Sequence, residues 1–370
     1  MKTAKAGARC CVVVTLALLL GHPAWALDWT TAVVDSQGIV GSGTAIVISG
    51  SGQPFIAYRD HSNDCQKYAV WDGNAWETGI LDDNGDTGGS CSMAVDPSGQ
   101  PGIVYRDYLS TQLRYAHWNG VSWDRTVVVQ RHWDQKSLDY DSQGRPHTTF
   151  EKPGVGLSLA SWNGSTWDVE PIGPRSCYAD LDIDDDDVPH ILYGLYHGGL
   201  AAEIRYLTSD GTSWHTTVVD DMAWSFTWLN LKVDDSGTVH ICYTADRGTG
   251  GRVVWYGFLD GESWQMQQVD AGSTETNGAL ALDEEGLPHV CYLGPEGLKY
   301  AAWDGTQWQI DVVDSVGHAA SIAIDRHGRA HISYWDEDNG DLKYALGVPE
   351  PATLALLAVG GLALIRRRGA

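Results

Sequence analysis

Basic residues are scarce in this 370-residue sequence, which has 24 Lys and Arg against 48 Asp and Glu and a formal net charge of −24. The deficit is larger within residues 27–347, which hold 18 basic and 47 acidic side chains and carry a charge near −29. A field of this sign repels nucleic acid and anionic membrane surfaces. The charge therefore predicts no nucleic-acid partner and remains compatible with neutral glycans, cations or basic proteins.

Motifs of several enzyme classes are also missing. The sequence has no G-x-S-x-G nucleophile elbow, no P-loop and no H-E-x-x-H zinc motif. The S-x-D-x-G-x-T-W box of sialidases is absent as well. These absences favour a protein without catalytic activity, and they leave enzyme function uncertain because surface carboxylates remain available.

No apolar run reaches the roughly 20 residues that a helix needs to span a bilayer. At the start of the chain, basic residues precede Cys10, an apolar run extends to Leu20, and an A-W-A sequence ends at Ala26. This arrangement predicts a secretory signal peptide over residues 1–26. We expect cleavage after Ala26, so the segment takes no part in the predicted fold.

The C-terminal residues 348–370 combine a V-P-E-P box, a short apolar stretch at 353–365 and an arginine cluster. The arrangement resembles the PEP-CTERM sorting signal of Gram-negative bacteria. The resemblance implies processing by an exosortase, transient membrane insertion through the tail, and delivery to the cell surface or the extracellular matrix. The residues that carry it are Pro349, Glu350, Pro351, Arg366, Arg367 and Arg368.

A unit of about 46 residues recurs seven times between the two ends. The unit varies between copies and consists of a D-x-x-G turn, a strand of the form His-h-x-Tyr (h, apolar) and an L-K-Y-A strand; most copies continue with a G-x-x-Trp turn followed by a Val-Val-Asp strand. Four short β-rich runs with this period are typical of a propeller blade. The His position of successive units is occupied by Phe55, Gly102, His147, His190, His240, His289 and His331.

The seventh unit stops at Leu346, before its fourth strand, and the missing strand matches residues 28–35 (DWTTAVVD). Pairing the two ends would cover both free edges of the array. The sequence therefore predicts an all-β fold, a seven-bladed β-propeller of four antiparallel strands per blade over residues 27–347, closed by the N-terminal strand. The repeat is similar to Trp-rich bacterial propeller repeats, including those of some lectins.

The repeated residues are interpreted first as structural. Asp of the D-x-x-G turn accepts backbone N–H groups, and each His forms a hydrogen bond within its blade. The repeated Trp and Tyr rings pack between blades. One sugar pocket per blade remains an alternative interpretation of these aromatic residues.

Residues that break the repeat are the candidates for ligand binding. Loops between second and third strands share one face of a propeller with the blade-to-blade connections, and we call it the loop face. Polar groups there can bond to sugar hydroxyls, and off-pattern tryptophans can stack on a sugar ring. The repeated Arg-Asp pairs are interpreted as local ion pairs, with an anion clamp as the alternative. The predicted binding residues are Arg59, Asp60, Arg106, Asp107, Trp133, Trp224, Trp228, Trp335 and Asp336.

Two acidic segments leave a Ca²⁺ site open, and no other cofactor is predicted. Residues 82–86 have the D-x-N-x-D spacing that begins a calcium loop, but Thr87 and Met93 stand where such a loop needs Gly and Glu. A second run, 184–187, consists of four aspartates and replaces a D-x-x-G turn. Both segments are interpreted first as solvated acidic turns.

Five cysteines remain after the two in the signal peptide are removed. Because five is odd, at least one thiol is expected to stay free or to pair with another chain. Cys65 and Cys91 are both predicted near the loop face in neighbouring units, and they are the predicted disulfide pair. The equivalent positions of Cys242 and Cys291 indicate buried apolar residues.

These observations favour an exported, non-catalytic protein of the cell surface or extracellular matrix that binds carbohydrate or another matrix component. The first alternative is a glycosidase or lyase that uses loop-face carboxylates such as Asp60, Asp107 or Asp336. The second alternative is a scaffold with protein partners only.

Overall fold

The computed structural model describes residues 27–197, 202–223, 225–247, 251–273 and 278–349. The predicted signal peptide, Trp224 and the sorting motif from Glu350 to Arg368 lie outside these ranges. The described residues contain no helix that is long and apolar enough to cross a membrane.

The described chain folds into strands joined by turns and short loops. In chain order the strands are β1 Leu27–Asp35, β2 Val40–Ile48, β3 Pro54–Asp60, β4 Cys65–Trp71, β5 Trp76–Asp82, β6 Thr87–Val95, β7 Pro101–Asp107, β8 Gln112–Trp118, β9 Trp123–Gln130, β10 Trp133–Tyr140, β11 Pro146–Lys152, β12 Gly156–Trp162, β13 Trp167–Pro171, β14 Cys177–Ile183, β15 Pro189–Tyr196, β16 Ala202–Ser209, β17 Trp214–Ala223, β18 Ser225–Val233, β19 Val239–Asp246, β20 Arg252–Asp260, β21 Ser263–Ser273, β22 Gly278–Leu282, β23 Pro288–Gly294, β24 Gly297–Trp303, β25 Trp308–Asp314, β26 His318–Ile324, β27 Ala330–Asp336 and β28 Asp341–Pro349.

These strands form seven antiparallel sheets of four strands, which are the seven blades of a propeller. Blades 1 to 6 each use four consecutive strands, from β2–β5 to β22–β25. The second strand β3 is buried along its whole length, whereas the outer strand β1 is largely exposed. The all-β propeller predicted from the repeat is confirmed.

Blade 7 is closed by the two ends of the described chain. Its order is β1-β28-β27-β26, so the N-terminal strand completes the sheet as predicted. Leu27 pairs with Pro349 and Asp28 with Val348. The last strand therefore extends two residues beyond the predicted boundary at 347, because β1 offers backbone partners to both residues.

In blades 4 to 7 the repeated His connects the repeated Asp to a tyrosine hydroxyl, and in blade 3 it connects the Asp to the hydroxyl of Ser161. In blade 7, His331 Nε2 lies 3.3 Å from Asp325 Oδ2 and its Nδ1 lies 2.6 Å from the hydroxyl of Tyr344. Because the carboxylate only accepts, Nε2 carries the proton and Nδ1 accepts from the tyrosine. Burial lowers the pKa of His331 despite the nearby Asp325, which favours this neutral form.

Neighbouring blades are joined by aromatic pairs and by buried ion pairs. The ring of Trp76 in blade 1 meets Tyr344 of blade 7 edge-on, with centroids 4.9 Å apart. Tyr58 of blade 1 donates to Asp35 of blade 7 at 2.7 Å, and Lys67 lies 2.5 Å from the same carboxylate. The repeated Trp and Tyr therefore pack between blades, as their sequence positions indicate.

Polar side chains of the innermost strands line the central channel. Asp139 accepts from the backbone N–H of Ile183 at 2.7 Å, so blade 3 is bonded to blade 4. Asp182 of blade 4 accepts from Lys232 Nζ of blade 5 at 2.5 Å, and Asp180 accepts from the N–H of Leu231. Each of these carboxylates bonds to the next blade, so their presence along the channel is explained by a structural role in holding the ring together.

Candidate functional site

The three predicted loop-face aspartates stabilise their own turns. Asp60 is 2% exposed and accepts from the backbone N–H and side-chain amide of Asn63. Asp336 makes the same two bonds with Asn339. Asp107 accepts from the backbone N–H of Leu109 and Ser110. These carboxylates therefore shape the loops between second and third strands from beneath the loop face.

The predicted arginines lie against the ring of Tyr108, a residue outside the predicted binding set. Arg59 and Arg106 both approach Tyr108, with guanidinium carbons 5.3 and 4.6 Å from the ring centroid. Arg59 also pairs with Asp64 at 3.1 Å and Asp86 at 2.6 Å. Arg59 therefore forms local ion pairs, as first interpreted, but it pairs with Asp64 and Asp86 and not with the adjacent Asp60.

The predicted tryptophans occupy different environments. Trp335 is half-buried, and its ring lies 6.2 Å from that of His61 across the boundary of blades 7 and 1. Trp228 is only 5% exposed and belongs to the core between blades 5 and 6. Its ring fills the space beside Gly278, where a Cβ would stand 2.4 Å away. The expectation that Trp228 faces solvent on the loop face is therefore not met.

Trp133 begins strand β10 and pairs with Glu151, but its side chain lies outside the described residues, as does Trp224. The structure brings Arg59, Arg106 and Trp335 to the loop face over blades 7, 1 and 2. It does not bring Trp228 there.

The segment with calcium-loop spacing is occupied by protein donors. Asp82 accepts from Tyr105 at 2.8 Å, from Arg114 at 2.8 Å and from Arg125 at 3.0 Å. Asp187 stands where other turns have glycine and adopts the left-handed φ of 62°. The four aspartates 184–187 therefore form the same turn as the D-x-x-G sequences of other blades. Among the described residues, no cluster of three or more His, Cys, Asp or Glu has a metal-binding arrangement.

The predicted disulfide between Cys65 and Cys91 is wrong, because neither cysteine forms a disulfide bond. Thr87 Oγ1 accepts from the backbone N–H of Gln66, which places the start of β6 beside Cys65. Cys91 lies four residues further along this strand, about 13 Å away at about 3.3 Å per residue. Its Sγ instead lies 3.1 Å from the carbonyl oxygen of Gly43 in blade 1.

A groove of about 610 Å³ opens between blades 7 and 1 on the opposite face, which carries the first-to-second and third-to-fourth strand turns. We call this the turn face and the hollow the 7/1 groove. Its aromatic wall contains Trp71, Trp76 and Tyr344, and Trp71 meets Trp76 edge-on at 5.6 Å. Gln53 and Arg329 add polar groups to the lining.

The equivalent boundary between blades 1 and 2 is filled by an aromatic side chain. Trp118, the counterpart of Trp71, lies 6.3 Å from the ring of Phe55 and 5.9 Å from that of Tyr68. Blade 7 has His331 where blade 1 has Phe55. Because the smaller ring of His331 is bonded to Asp325 and Tyr344, it leaves room in front of Trp71.

The comparisons with known proteins bear first on the C-terminal motif. Residues 347–368 match the PEP-CTERM protein-sorting motif. The chain is an exported protein. The PEP-CTERM motif implies exosortase processing and sorting to the cell envelope or surface. No curated protein matches the sequence.

Solved structures resemble the propeller in fold. A protein of unknown function from Dyadobacter fermentans shares 11% identity over 86% of this chain and 98% of its own, with a TM-score of 0.53. An ulvan lyase, a polysaccharide lyase, shares 12% identity over 86% and 96%, with a TM-score of 0.58. A mutant of the Aleuria aurantia lectin, in complex with the disaccharide Fucα1-6GlcNAc, shares 15% identity over 73% and 94%, with a TM-score of 0.50. At these identities the similarity concerns the fold alone.

Proposed function

We propose that this PEP-CTERM propeller is a non-catalytic protein of the bacterial cell surface or extracellular matrix that binds polysaccharide in the 7/1 groove. The observation that supports this most directly is the aromatic wall of Trp71 and Trp76 beside the polar side chains of Gln53 and Arg329. Aromatic rings cover the apolar faces of sugar rings, and nearby polar groups fix their orientation.

One further point favours binding over catalysis, and a second favours carbohydrate as the ligand. Asp60, Asp107 and Asp336 are buried and hold their own loops, so they are poorly placed for acid–base chemistry on a bound chain. Among proteins of similar fold, one is a lectin in complex with a fucose-containing sugar and another is a polysaccharide lyase. The propeller architecture is therefore compatible with carbohydrate ligands of different kinds.

For the loop face, we propose a secondary contact surface made of Arg106, Tyr108, His61 and Trp335. Arg59 orders this surface through its ion pairs with Asp64 and Asp86. Exosortase is the proposed processing partner, and a Gram-negative envelope is the proposed location.

The test measures binding of residues 27–349 to bacterial exopolysaccharides and to neutral and acidic glycans by titration calorimetry. Replacing Trp71 by Ala is expected to weaken binding about tenfold, or about 1.4 kcal/mol, because the substitution removes a ring from the groove wall. Trp118→Ala is the matched control, since its ring is covered by Phe55 and Tyr68.

Unchanged affinity in Trp71→Ala would remove the groove from the proposal, and no binding to any glycan would overturn carbohydrate binding altogether. New reducing ends or unsaturated products after incubation would show an enzyme instead.

A further inference from the structure

The first-to-second strand turn of blade 7 differs in charge from the corresponding turns of other blades. It places Arg326 and His327, both exposed, at the tip of the turn. The same two positions are Glu284 and Glu285 in blade 6, and both are aspartates in blade 4. A basic turn therefore stands at the mouth of the 7/1 groove in a strongly acidic domain.

The carboxylate of Asp325, which precedes this basic turn, already accepts hydrogen bonds from protein donors. Asp325 Oδ1 accepts from the backbone N–H groups of His327 and Arg329, both at 2.9 Å. Its Oδ2 lies 2.6 Å from Arg329 Nε and 3.3 Å from His331 Nε2. Arg326, whose Nε lies 3.4 Å from the ring of His327, points its charge to the surface instead.

A second hollow of about 410 Å³ adjoins the groove at this turn. Arg326 and His327 line the second hollow, and Gly52 and Arg329 line both hollows. The lining therefore runs without a break from Trp71, past Arg329, to Arg326. An extended chain of sugar residues could contact the aromatic wall at one end and the basic turn at the other.

We propose that the 7/1 groove takes an anionic saccharide chain, with one sugar ring against Trp71 and a carboxylate or sulfate group against Arg326 and His327. The inference rests on the proposed polysaccharide binding and adds the class of ligand. A guanidinium group forms paired, charge-assisted hydrogen bonds with either anion. Two carboxylates lie in the joined lining: Asp325 is bonded to Arg329, and Asp72, beside Trp71, accepts from the backbone N–H groups of Asn74 and Ala75. The anionic group is therefore placed at the other end, at Arg326 and His327, and charges more than about 8 Å away are largely screened at physiological ionic strength.

The experiment compares matched chains that differ only in charge. Polygalacturonic acid and its methyl ester form one pair, and a sulfated galactan and its desulfated form make the second. Binding of residues 27–349 is measured at two salt concentrations. The anionic chain of at least one pair is expected to bind at least tenfold more tightly than its neutral partner, and more weakly as salt rises.

The variant Arg326→Gln is expected to remove this preference while leaving the affinity for the neutral partner unchanged. Arg145→Gln is the matched control, because Arg145 lies in the equivalent turn of blade 3, where its Nε bonds to Asp141. It removes the same charge from the same face and is expected to keep the preference.

Three outcomes would overturn the inference. Equal binding of the charged and neutral chains would reject an anionic ligand while leaving the proposed function intact. Equal losses in Arg326→Gln and Arg145→Gln would assign the preference to overall charge. Absence of binding to all four chains and to every other glycan would reject the proposed function together with the inference.

Discussion

At the scale of single residues, five Tyr–Asp hydrogen bonds hold neighbouring blades together in the described part of the chain, and each of these tyrosines is buried. Each runs from the Tyr of a second strand to an Asp in the fourth strand of the preceding blade. Blade 3 has Phe150 at this position, and the preceding strand ends at Gln130, so the hydroxyl and the carboxylate are missing together. The five pairs, at 2.7 or 2.8 Å, are Tyr58–Asp35, Tyr105–Asp82, Tyr243–Asp220, Tyr292–Asp270 and Tyr334–Asp314.

Replacing Tyr58 by Phe is expected to lower the free energy of unfolding by about 1 kcal/mol, the usual net value of a buried hydrogen bond. The ring stays in place, and Asp35 keeps its ion pair with Lys67, so the change isolates the hydroxyl. Urea denaturation of residues 27–349 measures the effect. Tyr178→Phe, at a side chain that is 42% exposed, is the control. Equal midpoints for the two variants would show that the bond does not contribute.

The roles of residues that recur in every repeat could be predicted from the sequence. The roles of residues that depend on contacts between repeats could not. The Asp–His pairs share a spacing of six positions, so a bond within the blade could be predicted. Trp228 interrupts the pattern and was assigned to the surface, but its ring fills space beside Gly278, fifty positions away. The 7/1 groove lies between rings of two blades, Trp71 and Trp76 of blade 1 and Tyr344 of blade 7, so it exists only once these blades are in contact.

At the scale of elements, strand β1 is the piece that makes blade 7 a four-stranded sheet. Its Trp29 ring lies 5.1 Å from Tyr300 of blade 6, and its Asp35 bonds to Tyr58 of blade 1. One short strand therefore contacts three blades.

Deleting residues 27–36 is expected to destabilise the ring and to cause self-association, because β28 then presents an unpaired edge. Light scattering after size exclusion measures the mass of the particles, and thermal unfolding measures the stability. Adding a synthetic peptide of residues 27–36 should restore the monomer, whereas a scrambled peptide should not. A truncated chain that remains monomeric with an unchanged melting temperature would contradict this role of β1.

At the scale of the whole molecule, a pH-sensitive group lies among the innermost strands. Burial and the nearby Asp182 raise the pKa of Asp139 to about 7, and burial raises that of Asp180 to about 6. A carboxyl group with a raised pKa binds its proton more tightly in the folded state than in the unfolded state. Its contribution to the free energy of unfolding therefore falls as the pH rises from about 4 to 7.

The variant Asp139→Asn is expected to raise the free energy of unfolding at pH 8 by about 1 kcal/mol or more, since one pKa unit corresponds to about 1.4 kcal/mol. The amide oxygen can still accept from the backbone N–H of Ile183, so the bond between blades is kept. At pH 4 the variant and the wild type should be equally stable. Asp338→Asn, at an exposed position, is the control. Equal gains at pH 4 and pH 8 would show that the effect is not protonation of Asp139.

The pairing of Leu27 with Pro349 also determines how the propeller responds to mechanical force. The two residues are partners at the same end of antiparallel strands, so a pull that separates them loads one residue pair at a time. Strands loaded in this way peel apart at low force, whereas strands pulled along their length share the load among all their bonds. A molecule anchored through one end carries no tension across this seam. A molecule pulled by both ends would open first at blade 7, between β1 and β28.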